Sequence, residues 1–150
     1  MNYQLCGFLI GQEIQLDFKK KRLYRLPSEK LDNGVIFAMV ELNETTLHFF
    51  HYLLLHAHHK KISKDEILKT LWEEKNLAPS TQRLWKILKD LNRKLCLLGL
   101  PENFIQNIRG SGYVITYCEI TPLYLRTREI LVNAGDKYWD TEDETFIFNT

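Results

Sequence analysis

Five cationic side chains, Arg83, Lys86, Lys89, Arg93 and Lys94, follow one another at spacings of three, three, four and one. On a helix, residues three and four apart are neighbours on one face, so the first four form a stripe. Another cation, Arg109, stands at the shoulder of Gly110-Ser111-Gly112, with Tyr113 next in line. The chemistry this permits is charge neutralisation: ammonium and guanidinium groups on a rigid rod meet phosphates or the acceptor edge of guanine. Bond-making chemistry finds less support. No nucleophile sits in a recognisable turn, and no glycine loop cradles a phosphate. His48, His51, His56, His58 and His59 are metal ligands by type, but two are adjacent and no cysteine or carboxylate completes a familiar spacing. They read as surface or half-buried side chains, and neither a metal nor a cofactor is expected. Cys6, Cys96 and Cys118 each lie in an apolar run and read as reduced, buried thiols of a cytoplasmic protein.

The elements that must hold these residues are legible in outline. Leu84, Leu88, Leu91, Leu95 and Leu98 recur at four and three residues and predict a helix from Ser80 to about Leu98, stopped by Gly99 and Pro101. Its other side carries Arg83, Lys86, Lys89, Asp90 and Arg93, flanked by Trp85 and Ile87. Upstream, Ser63-Lys64-Asp65-Glu66 is a capping box, and Ile67, Leu68, Leu71 and Trp72 supply an inner face. Before that, Asn43 caps a helix whose core face reads as Leu47, Phe50, Leu54 and Ala57. Downstream, strand formers Ile105, Ile108, Val114 and Ile115 flank Gly110-Ser111-Gly112, a hairpin with a glycine-permitted turn. The N-terminal stretches 3–10, 13–18, 22–26 and 35–40 read as strands of a small antiparallel sheet, with Asp32-Asn33-Gly34 as a turn.

At 150 residues with 45% apolar content, the chain can bury one core, and its longest apolar run is far below the ~20 residues of a membrane span. The overall charge of +1 conceals an asymmetry. Residues 60–113 hold eleven Lys/Arg against six Asp/Glu, a net of +5, while residues 119–150 hold three against seven, a net of −4. The middle attracts a polyanion and the end repels one. A cationic amphipathic helix alone is equally an ordinary solvated face. Followed in order by an arginine-bearing hairpin, it points to a winged helix-turn-helix.

The ordered set Leu42-Asn43-Glu44, Ile62 through Leu68 with Leu71-Trp72, the leucine ladder, and Ile105 through Tyr113 resembles the OmpR/PhoB-type winged-helix domain. Within that group it is most similar to the ToxR/CadC-like one-component transcription regulators. The resemblance covers roughly residues 3–117. It implies an α+β fold with an N-terminal antiparallel sheet, three helices and a C-terminal β-hairpin wing. It implies double-stranded DNA as partner, with the third helix in the major groove and the wing on the adjacent minor groove or phosphates. The implied contact residues are Arg83, Trp85, Lys86, Lys89, Arg93, Lys94, Arg109, Ser111 and Tyr113. It further implies RNA polymerase or a neighbouring subunit at the turn 73–79, homodimers on direct repeats, and, in membrane-anchored relatives, an inner-membrane remainder. Only about 40 residues precede the helices, so no phosphoacceptor receiver domain is expected. Two positions depart from the usual pattern: Asn92 follows Leu91 where relatives have arginine, and Asn107 replaces a threonine of the wing strand.

The sequence divides into a DNA-binding domain, 1–118, and an acidic extension, 119–150. In the extension a short helix is expected from Leu123 to Val132, and Tyr138-Trp139 with Phe146-Ile147-Phe148 form apolar patches suited to docking. The alternative to a DNA-binding regulator is a winged-helix protein-interaction module acting through this tail. An enzyme is not expected.

Overall fold

The computed structural model describes residues 2–26, 38–73, 80–116, 119–127 and 145–147. Four strands, β1 (Asn2–Ile10), β2 (Ile14–Asp17), β3 (Arg22–Arg25) and β4 (Met39–Glu41), open the chain as an antiparallel meander. Phe8, Ile10, Ile14, Leu16, Leu23 and Val40 alternate inward along it, the period-two burial expected of a sheet with one covered face. The turn expected at 32–34 lies outside the described residues.

Helices α1 (Glu44–His56), α2 (Lys64–Leu68) and α3 (Thr81–Leu97) follow. Each begins at a side-chain cap: Asn43 Oδ1 accepts from Thr46 N at 2.8 Å, Ser63 Oγ from Glu66 N at 3.2 Å, and Ser80 Oγ from Arg83 N at 3.3 Å. These bonds satisfy helix-start donors that would otherwise lack partners. Two details differ from the sequence reading. The second helix continues after Leu68 as a π turn, Lys69–Glu73. On α1 the buried face is Thr46, Phe49, Phe50, Leu53 and Leu54, while Leu47 is only partly covered. Apolar residues surround that helix, so its spacing alone did not choose the face.

The hairpin forms as expected, with β5 (Ile105–Ile108) paired to β6 (Gly112–Ile115). It is a separate two-stranded sheet.

Beyond it, the helix expected from Leu123 is replaced at its start by a strand, β7 (Ile120–Thr127), which pairs with β1 from Ile10↔Ile120 to Asn2↔Thr127. The pairing partner lies over a hundred residues away, and the ladder it offers outweighs a weak local helix pattern. A last strand, β8 (Thr145–Ile147), pairs with β7 and completes the order β4-β3-β2-β1-β7-β8. The remainder of the expected helix and Tyr138-Trp139 lie outside the described residues. Cys6 Sγ donates to the Leu123 carbonyl at 3.3 Å across the β1–β7 seam. Burial, with Asp17 nearby, pushes the Cys6 thiol above its ordinary pKa.

Candidate nucleic-acid interface

On α3 the leucines at 84, 88, 91 and 95 are buried against the core, which turns the opposite face to solvent. At 3.6 residues per turn, Gln82, Trp85, Lys86, Lys89 and Arg93 fall within a sector of roughly 100° opposite them. All five are exposed, as is Arg83. Among the described residues, Arg83, Lys86 and Lys89 enter no ion pair. The Lys89 ammonium sits 4.9 Å from the centre of the Trp85 ring, a cation–π contact worth about 0.5–1 kcal/mol at an exposed site.

The far end of the helix is organised differently. Asp90 accepts from Arg93 Nη2 at 2.9 Å and lies 3.1 Å from Lys94 Nζ. Lys94 also donates to the Glu41 carbonyl of β4 at 2.8 Å. Partial burial would raise the Asp90 carboxyl, but the hydrogen bonds from Arg93 and Lys94 outweigh it and hold the group below the usual carboxylate range. Arg25 of β3, held by Glu13 at 3.3 Å, donates to the Leu98 carbonyl at 2.8 Å. A cation at that position satisfies a carbonyl the helix itself leaves open and complements the helix dipole. The C-terminal half of α3 is therefore fastened to the sheet at two points.

The hairpin is fastened too. Tyr113 N donates to Ile62 O at 2.8 Å and Ile62 N to Tyr113 O at 2.9 Å; His59 N donates to Ile115 O and Ile115 N to Ala57 O, both at 2.9 Å. The link between α1 and α2 is thus bonded to β6 at two isolated bridges, parallel at His58–Ile115 and antiparallel at Ile62–Tyr113. Gly112 makes this fit possible. Its φ of +138° lies where side-chain-bearing residues rarely go, and a Cβ there would come within 2.0 Å of Ile62 O. Beyond this seam the loop Arg109-Gly110-Ser111 projects into solvent, closed by Ser111 N donating to Ile108 O at 2.9 Å. A surface notch forms where the wing faces the start of α2, lined by Ser63, Lys64, Asp65, Asn107, Arg109 and Ser111 among others.

Of the nine residues expected at the interface, seven are exposed: Arg83, Trp85, Lys86, Lys89 and Arg93 on α3, Arg109 and Ser111 on the wing. Two are not. Lys94 spends its ammonium on Asp90 and Glu41, and Tyr113 is 6% exposed with its backbone committed to Ile62. Burial raises the Tyr113 phenol above its ordinary pKa, which keeps it neutral. The sequence reading passed over Lys64, exposed at the start of α2 beside the wing, and Gln82, exposed within the α3 stripe. Ser63 was read only as a cap, although the capping position itself signals a helix start with outward-facing N–H groups.

Cationic groups on a rod, with a second cation on a braced loop, can grip a polyanion from two sides. The histidines do other work. His51 lies against Phe18 with ring centres 4.3 Å apart, and His58 against His59 at 4.0 Å. No helix among the described residues is long and apolar enough to cross a membrane. The sequence profile of the family described as transcriptional regulatory protein, C terminal, matches residues 38–115, just over half of the chain. The comparison with curated proteins found no match.

Proposed function

The chain belongs to the C-terminal domain family of transcriptional regulatory proteins, the OmpR/PhoB-type DNA-binding domains, and on that premise we propose how it engages a duplex. The solvent-facing side of α3 lies in the major groove, with Arg83, Lys86, Lys89 and Arg93 toward phosphates or guanine edges. The wing loop sets Arg109 against the adjacent minor groove or its phosphates, where narrow A/T tracts attract arginine. The observation that carries this reading is the exposed stripe Arg83, Lys86 and Lys89. No carboxylate among the described residues neutralises these cations.

Residues 1–118 supply the duplex contacts in this reading, and the stretch from 119 supports them through β7. The protein acts in the cytoplasm, as a transcription regulator binding direct repeats in pairs. RNA polymerase contacts fall to residues 73–79, of which 74–79 lie outside the described residues.

The test is binding of the purified protein to genomic DNA fragments across a salt series. Five phosphate contacts, at Arg83, Lys86, Lys89, Arg93 and Arg109, give a slope of log K against log salt near −4.5. Tight binding to few fragments with that steepness supports the reading. Binding to none at low salt overturns it, in favour of a protein-interaction module.

A further inference from the structure

Trp85 is 58% exposed, the most exposed of the large apolar side chains described. It lies outside the core cluster, and its one described ring partner is the Lys89 ammonium, 4.9 Å from the ring centre. It occupies the same solvent-facing sector of α3 as Gln82, Lys86 and Lys89. Apart from that contact, more than half of this flat apolar plate is left to solvent, in the sector that faces away from the core.

The inference rests on the duplex-binding reading above, which puts this sector into the major groove. Base edges in that groove present hydrogen-bond donors and acceptors, and one large apolar group, the 5-methyl of thymine. The indole offers one donor and no acceptor. Laid against a guanine, adenine or cytosine edge, most of the ring would strip water from polar atoms and return nothing. Laid against a thymine methyl, it removes apolar surface from water on both sides. The lysine covers one face of the ring, so the other face or the ring edge is what a base meets.

We propose that Trp85 is a specificity-determining residue that reads thymine through its 5-methyl group. Lys89, carried over the ring, is thereby directed to the phosphate or purine edge beside that thymine. Arginines and lysines of the stripe then supply affinity, and Trp85 supplies a preference that charge cannot.

The experiment uses the full chain. Wild-type protein selects duplexes from a random pool, and each thymine of the selected site is replaced singly by deoxyuridine, which lacks only the methyl. Binding is read by fluorescence anisotropy for wild type, Trp85→Ala and Trp85→Phe, with circular dichroism confirming that the variants are folded. One or two neighbouring thymines should weaken wild-type binding about fourfold each on losing the methyl. Trp85→Ala should bind thymine and deoxyuridine equally there while keeping the wild-type salt slope, and Trp85→Phe should retain part of the discrimination.

Three results overturn the proposal: no thymine of the selected site is methyl-sensitive in wild type, Trp85→Ala keeps the fourfold loss, or Trp85→Ala weakens every duplex alike. The last would make the ring a stacking surface for the sugar-phosphate backbone. In all three, a selected site with steep salt dependence leaves the duplex-binding reading standing. If wild type selects no site and shows no salt dependence, that reading falls and the inference falls with it.

Discussion

The two halves of α3 carry the same kinds of side chain and put them to different uses. Toward the start, Arg83, Lys86 and Lys89 stand in solvent with no described acidic partner. Toward the end, Arg93 and Lys94 converge on Asp90, and Lys94 reaches the Glu41 carbonyl while Arg25 holds Leu98 O. Asp90 gathers the two cations within the helix, and two backbone carbonyls, Glu41 O and Leu98 O, tie its second half to the sheet. Residue type is therefore a poor guide to role on this helix, and the neighbouring acceptors decide. Arg93 stands between the two cases, since its side chain is exposed yet already paired with Asp90.

Both halves of α3 act only while the helix and the wing are held in place, so the most damaging change strikes the brace. Gly112→Ala places a Cβ against Ile62 O and forces a strained φ. It should cost several kcal/mol, on the order of 3, by analogy with strained backbone and core overpacking. Thermal unfolding should shift down strongly, and an unchanged melting temperature would mean the wing is not seated on the link 57–62.

Next comes Lys94→Met, which keeps the apolar stem and removes the ammonium. With one charged hydrogen bond lost and the Glu41 carbonyl left open, stability should fall by about 1.5 kcal/mol in denaturant titration. The salt slope of DNA binding should not change. A flattened slope with unchanged stability would place Lys94 with the first half of the helix.

A milder effect is expected on acidification. Burial, helped by His48 and His56, lowers the His51 pKa below its ordinary 6.5. The native state therefore resists protonation that the unfolded chain accepts. Stability is complete above about pH 6.5 and declines as the pH falls from there toward the lower native value. His51→Phe should reduce this decline in urea midpoints measured between pH 7 and pH 5. An equal decline in the variant would remove His51 from the account.

The smallest stability effect belongs to the exposed half. Lys86→Ala should leave stability within about 0.5 kcal/mol and flatten the salt slope by roughly one unit. A stability loss like that of Lys94→Met would erase the distinction between the halves.

The parts of this molecule that the sequence disclosed are those governed by near neighbours in the chain. Asn43, Ser63 and Ser80 cap helices because each bonds an amide three residues on. The leucines of α3 mark one face because the other is charged. The wing is legible because Gly110-Ser111-Gly112 interrupts two runs of strand formers. What escaped depends on distant partners. Residues 123–127, the start of the helix expected from Leu123 to Val132, have a pattern weak enough to read that way, and their pairing with β1, at the opposite end of the chain, makes them a strand. Lys94 looks like its neighbours until Glu41 is placed beside it. The burial of Tyr113 is not legible until its backbone is seen bonded to Ile62. On α1, Phe50, Leu54 and Ala57 are buried as expected, but Phe49 and Leu53 were missed because the expected face was centred one residue over, on the partly covered Leu47.

The bonding of the wing to the link 57–62 has a consequence for how the molecule opens. The amides of His59, Ile62, Tyr113 and Ile115 all donate across the seam between the link and the last strand of the hairpin, at two separate bridges. Lifting the hairpin off the link frees all four, so these protons should exchange with solvent deuterium together. Arg109 then rides on a lever whose fulcrum is the base of α2, so a tilt of that helix carries the wing and its arginine with it.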